Sequence, residues 1–161
     1  MNRREILGAG VAGMASLSAG VALAQGAREH EKEAAHHHDK VHDDCLKACS
    51  DCAKSCDETF HHCVMEVAQG KKEHARSVQL LSDCAGFCAL SACMIAKHSP
   101  LMAHSCGACA EACKETAAEV MKYDSPEMMT AVKALRECEK SCRAMVASMG
   151  GHHHDAAART S

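Results

Sequence analysis

Thirteen cysteines recur along this chain at intervals of mostly three, four and seven residues, and that spacing constrains the fold more than any other feature. They are Cys45, Cys49, Cys52, Cys56 and Cys63, then Cys84, Cys88 and Cys93, then Cys106, Cys109 and Cys113, and finally Cys138 and Cys142. Steps of 4, 3, 4 and 7 in the first group lie on one stripe of an α-helix, the seam that faces the interior of a bundle. The third group, stepping by 3 and 4, marks the same kind of seam. Extended outward, the first stripe reaches His42 and His38 and the third reaches Met102. The fourth reads Met128, Leu135, Cys138, Cys142, Met145, Met149. Cys93 departs from the pattern: five residues after Cys88, it is turned about 140° round the helix, onto a flanking face unless the helix is irregular there.

Turn and cap residues divide the chain around these stripes. A helical pattern runs from about Lys40 to Ala68 and stops at Gly70, a C-terminal cap. A second runs from Lys72 to Lys97. Ser99-Pro100 opens a third, with Ser as N-cap and Pro at the first helical position, and it continues to Lys122. Ser125-Pro126 repeats the signal for a fourth helix, which runs to Met149 and ends at Gly150-Gly151. No segment alternates with period two. The expectation is all-α: an up-down-up-down four-helix bundle over 39–150 with a Cys-lined core. Residues 25–38 read as a flexible His-rich lead-in and 151–161 as a disordered His-containing tail.

That topology gathers the start of helices 1 and 3 and the end of helices 2 and 4 at one end. His38, His42, Cys93, Met94, His98, Met102, His104, Met145, Met149 and the run His152-His153-His154 are expected there. Val64, Leu80, Leu81, Val120 and Leu135 are expected to close the other end. The object implied is a thiol-lined tube, sealed at one end and fringed with His and Met at the other.

The composition leaves sulfur to fill the interior, because the chain has two Phe, one Tyr and no Trp. A net charge of −3 and the lack of a basic stripe with interleaved aromatics exclude nucleic acid as a partner. A disulfide scaffold is disfavoured by the odd count and by the diverging Cβ directions of Cys placed three or four apart on one helix. A catalyst needs one or two activated thiols rather than thirteen, and no convergent Asp/Glu pair lies on the interior stripe. Metal binding remains, and charge selects the metal. Each monovalent soft ion balances one thiolate, whereas Zn with four thiolates carries net −2 per site, and thiolate and thioether ligands select Cu(I). A general Zn/Cd buffer and a thiol redox protein are the competing functions. Met94, Met121, Met128 and Met129 read as packing. The runs His36–His38 and His152–His154 read equally as Cu(II)/Zn(II) capture and as solvated tails.

The N-terminus carries Arg3-Arg4, a Gly/Ala-rich apolar stretch and the small-x-small end Ala22-Leu23-Ala24. Residues 1–24 therefore read as a twin-arginine signal peptide, so that the mature chain is exported, periplasmic and free of the membrane. A membrane anchor is the competing reading, disfavoured by the glycines in the stretch.

Through its Cys-x-x-x-Cys helical pairs 45/49, 52/56, 84/88, 109/113 and 138/142, the segment 39–150 resembles the bacterial copper storage proteins. The resemblance implies a four-helix bundle holding many Cu(I) ions, with all 13 Cys as ligands. It implies uptake through a mouth bearing His and Met, which topology assigns to His38, His42, His98, Met102, His104, Met145 and Met149. It also implies a homo-oligomer, commonly a tetramer, and a storage role supplying copper enzymes or limiting toxicity, with a copper-receiving protein as partner.

Overall fold

In the computed structural model the backbone is described for residues 18–157 and the side chains for residues 40–150. The twin-arginine segment falls largely outside the described residues, as do the side chains of His38 and of both histidine runs. The chain divides into two units, Met1–His36 and His37–Ser161, and the cysteines all lie in the second. Four helices account for the described elements: α1 (Ser18–Ala68), α2 (Ala75–Ala96), α3 (Met102–Val120) and α4 (Pro126–Ala157). A single 3-10 turn, Lys72–His74, leads into α2. No strand occurs among the described residues.

The helix stops follow from backbone hydrogen bonds. After α1, Gly70 takes φ +95°, its N–H donates to Val67 O at 2.9 Å, and Lys71 N–H donates to Glu66 O at 3.1 Å. This paired arrangement satisfies the last carbonyls and requires a left-handed residue at the position after the cap. α2 ends identically, but the left-handed residue is His98, at φ +48°. His98 N–H donates to Ile95 O at 2.9 Å and Ser99 N–H to Met94 O at 3.0 Å. A non-glycine residue at such a φ is uncommon and costs about 1 kcal/mol or more, so something holds it there.

Three boundaries differ from the sequence expectation. α3 begins at Met102 instead of Pro100, because Ser99 is already engaged in closing α2. The Ser99 hydroxyl instead caps the connecting turn, accepting from Leu101 N–H at 3.2 Å. α1 is helical from Ser18, well before Lys40, since the intervening Ala, Glu, Lys and Arg are good helix formers. α4 passes through Gly150-Gly151 to Ala157; Gly150 keeps a right-handed φ, so it does not cap. The α4 start matches the reading: Ser125 Oγ accepts from Met128 N–H at 3.3 Å.

The interior is one apolar cluster in which cysteine is the commonest residue. The inward line of α2 reads Ser77, Leu81, Cys84, Cys88, Ser91, Ile95, and that of α3 reads Met102, Cys106, Cys109, Cys113, Thr116, Val120. Leu81, Val120, Met128 and Leu135, all fully buried, close the end opposite the mouth. Val64 does not join them: it is 37% exposed, one step round the helix from Cys63, and Met128 fills the place instead. The outer face of α1 carries Lys40–Asp44, Lys47–Asp51 and Lys54–Glu58 pairs one turn apart, exposed and individually worth little.

Candidate metal centre

Twelve of the thirteen cysteines are buried and none forms a disulfide. Cys93 is exposed, the outcome its angular displacement from Cys88 favours: Ser91 and Ile95 continue the inward line of α2, and Cys93 points away from it. Cys93 therefore leaves the core ligand set.

Eleven of the buried thiols form four groups within which every sulfur lies within 4.8 Å of the others. In order from the mouth they are Cys45–Cys106–Cys142, then Cys49–Cys109–Cys138–Cys142, then Cys52–Cys88–Cys113–Cys138, then Cys52–Cys56–Cys84. Neighbouring groups share a cysteine: Cys142, Cys138 and Cys52 in turn. The seam spacing of all four helices thus stacks sulfurs turn upon turn along the bundle axis. Contacts across helices include Cys49–Cys142 at 3.5 Å, Cys84–Cys113 at 3.6 Å, Cys88–Cys109 at 3.6 Å and Cys109–Cys138 at 3.8 Å. Metal–sulfur bonds of about 2.3 Å reach across such separations in bent geometry.

Electrostatics decides what the column accepts. No Lys or Arg is buried among the described residues; the buried polar groups are His42, Thr59, His74, Ser77, Ser91, Thr116 and Glu119. Thiolates in this interior have no protein cation to neutralise them, and an unneutralised buried charge is prohibitively costly. Proton sharing in the column therefore splits its thiols. Cys138 is held down by hydrogen bonds from neighbouring thiols, Cys109 foremost, while Cys113 is held up, again chiefly by Cys109. Full deprotonation requires cations brought from outside, one positive charge per thiolate.

Cys63 stands apart, 4.0 Å from the Met128 thioether and surrounded by the apolar plug. Burial first, and the Glu66 carboxylate second, push its thiol up to about 11 from an ordinary 9. Its neutral form is favoured in the folded chain, so the stability it contributes is complete below pH 9 and is lost as pH rises towards 11. The urea-unfolding midpoint of the reduced, metal-free chain should accordingly fall over that window by more than that of the Cys63→Ala variant. Parallel curves for the two chains would contradict this assignment.

One turn outward from Cys45, Cys106 and Cys142 lie His42, Met102 and Met145, with 8%, 5% and 0% exposure. His42 stacks on His98, ring centres 5.1 Å apart and planes 27° inclined; this contact accompanies the left-handed backbone at His98. Met149 is half-buried against the same cluster. His98 and His104 are exposed, and the structure does not bring His104 into the ring. Sequence reasoning missed the buried hydroxyls of the seam, Thr59, Ser77, Ser91 and Thr116, and Ile95 at the mouth. The three- and four-residue steps from Cys88 to Ser91 and Ile95 carried that signal.

Comparison with known proteins agrees with this geometry. The family model described as copper storage protein matches residues 36–147. A Cu(I)-bound copper storage protein, BsCsp3, is 31% identical with a TM-score of 0.61, the match covering 66% of this chain and 98% of that one. The apo form of copper storage protein 3 from Bacillus subtilis is 32% identical over 65% of this chain and 97% of that one, with a TM-score of 0.57. A protein from Nitrosospira multiformis is 28% identical over 68% and 97%, with a TM-score of 0.61. No curated protein matches. On the length of the family match and the thiol column it spans, the chain belongs to the copper storage protein family.

Proposed function

We propose that this chain stores multiple Cu(I) ions on the thiolates of its core, as a reserve for copper enzymes or a sink for toxic copper outside the cytoplasm. The observation that carries the reading is the column of four overlapping, fully buried thiol groups, with no Lys or Arg buried among the described residues. A similar solved protein is described as Cu(I)-bound, which supports the choice of ion. The Arg3-Arg4 signature supports export by the twin-arginine route, and the family resemblance supports assembly of several bundles.

The geometry suggests how filling proceeds. An ion meets His42, Met102 and Met145 first, neutral donors that hold it without a proton being released. It then passes to the Cys45–Cys106–Cys142 group, where each arriving ion displaces one thiol proton to solvent and so leaves the net charge of the interior unchanged. Shared Cys142, Cys138 and Cys52 provide the onward path, since each can bond an ion in the next group before releasing one in the last. Exchange between neighbouring sulfurs replaces dissociation, so ions move inward without a bare Cu(I) in the core.

Anaerobic titration of the reduced full chain with Cu(I) against a Cu(I)-specific chelator tests the function. Uptake of about ten or more ions is expected, approaching one per buried thiol as charge balance requires. Zn titrated in parallel should load far fewer equivalents, because each tetrathiolate site keeps a net charge of about −2 in a dry interior. Uptake of one or two Cu(I) would overturn storage in favour of a chaperone or redox protein. Equal loading by Zn would make the chain a general soft-metal buffer.

A further inference from the structure

The outward face of α2 is unusually apolar. From Cys84 to Ala96 the helix carries no charged residue, and an 18-residue stretch of Lys72–Ala96 has a mean hydropathy of 1.6 with 28% of it buried. Gly86, Leu90 and Cys93 form the crest, with Phe87 on its flank. Leu90 is 46% exposed and Phe87 40%, and apart from Gly86's chain neighbours and the nearby backbone of its own helix no atom lies within 4 Å of where a Cβ at Gly86 would sit. The crest thus has a smooth, low point where another helix can approach closely.

Charge specifies what approaches. Asp83 and Lys97, both exposed, bracket the crest, each seven residues from Leu90. In an antiparallel pair related by a two-fold axis through Leu90, Asp83 of each copy meets Lys97 of the other, so the face is complementary to itself. The same axis sets Phe87 of one copy against Cys93 of the other. A lipid surface fits less well: the groove beside the crest is lined by Asp83, Glu111 and Glu115 around Phe87, whereas interfacial helices are flanked by Lys and Arg.

We propose that this face docks on the same face of a second copy, antiparallel about Leu90 and held in register by Asp83 and Lys97. The pairing draws on the storage reading for the expectation of assembly alone; the face itself involves no metal. It also accounts for the one thiol outside the core, which the second copy's Phe87 covers.

Sedimentation equilibrium of the reduced full chain is the test, with Leu90→Glu, Asp83→Lys, Lys97→Asp and the double swap Asp83→Lys/Lys97→Asp. Leu90→Glu should weaken self-association at least about 100-fold, because it buries two unpaired carboxylates at the centre of the interface. Each single charge reversal should weaken it about tenfold, and the double swap should restore it. Cu(I) capacity should be the same in all four variants, which confirms that each still folds. Association unchanged by Leu90→Glu would overturn this face while leaving assembly intact. A double swap no better than either single would overturn the register. A monomeric wild type would remove both the pairing and the expected assembly, and binding of that monomer to zwitterionic vesicles, lost in Leu90→Glu, would assign the face to a membrane.

Discussion

Saturation of the reduced chain with Cu(I) should raise its melting temperature by about 20 °C or more. The reasoning starts from what the metal-free bundle lacks. Its fully buried large side chains are few, led by Leu81, Ile95, Met128, Leu135 and Met145, and cysteines fill the remaining length of the core. A thiol behaves as a small hydrophobe and buries less surface than the Leu that an ordinary bundle would place there. Cu(I) bonds would tie helices together at those positions: the group Cys52–Cys88–Cys113–Cys138 draws on all four. Ligand held a hundredfold above its dissociation constant adds about 2.7 kcal/mol per independent site. Two groups that share no thiol, Cys45–Cys106–Cys142 and Cys52–Cys88–Cys113–Cys138, would by themselves add about 5 kcal/mol on that rule, and each kcal/mol moves the melting point of a domain this size by about 4 °C or more. Differential scanning calorimetry under anaerobic conditions, with and without bound Cu(I), measures the shift. A change of only a few degrees would mean that the ions sit at the mouth or on the surface, outside the thiol column.

The bundle and its sulfur stripe were legible because both follow from one periodicity. A residue type that recurs at 4, 3, 4 and 7 has to lie on one face, and four such faces have to meet. The same arithmetic set Cys93 off the stripe, yet the sequence reading kept it among the ligands, and its exposed position corrects that. Helix ends were less legible because they are settled by competition for backbone hydrogen bonds. Ser99 carried a plausible N-cap signal for α3, yet its N–H is used by Met94 O to close α2, and the helix starts further on. His98 in a glycine-like conformation had no sequence signal at all, because nothing in the local sequence asks for it; its ring meets His42, a contact between the turn after α2 and helix α1. Buried Ser77 and Ser91 were hidden by the ordinary expectation that serine faces water. Their positions were fixed by the line running through Cys84 and Cys88, which overrides side-chain polarity.

Replacing Cys138 by Ser should remove at least two Cu(I) ions from the loaded chain, whereas Cys63→Ser should remove at most one and Cys93→Ser none. Cys138 is the sulfur shared by both four-thiol groups, 3.8 Å from Cys49, 3.8 Å from Cys109 and 3.9 Å from Cys88. It reaches from α4 to a thiol on each of the other three helices, so both groups lose a ligand in one substitution. Serine is close to cysteine in size but offers a hard oxygen that Cu(I) does not favour. The metal-free fold should therefore survive with a cost of about 1–3 kcal/mol for a poorly satisfied buried hydroxyl, small enough for the titration to be read. Cys63 has only the Met128 thioether at 4.0 Å and no place in the four groups, and Cys93 is exposed. The chelator titration of the three variants against the parent chain separates two pictures of the core. Unequal losses in this order mean that ions occupy a connected column whose shared thiols each serve more than one of them. Equal losses of one ion for Cys138→Ser and Cys63→Ser would mean that the sites are independent, and that proximity of the sulfurs reflects packing of small side chains instead of a path for the metal.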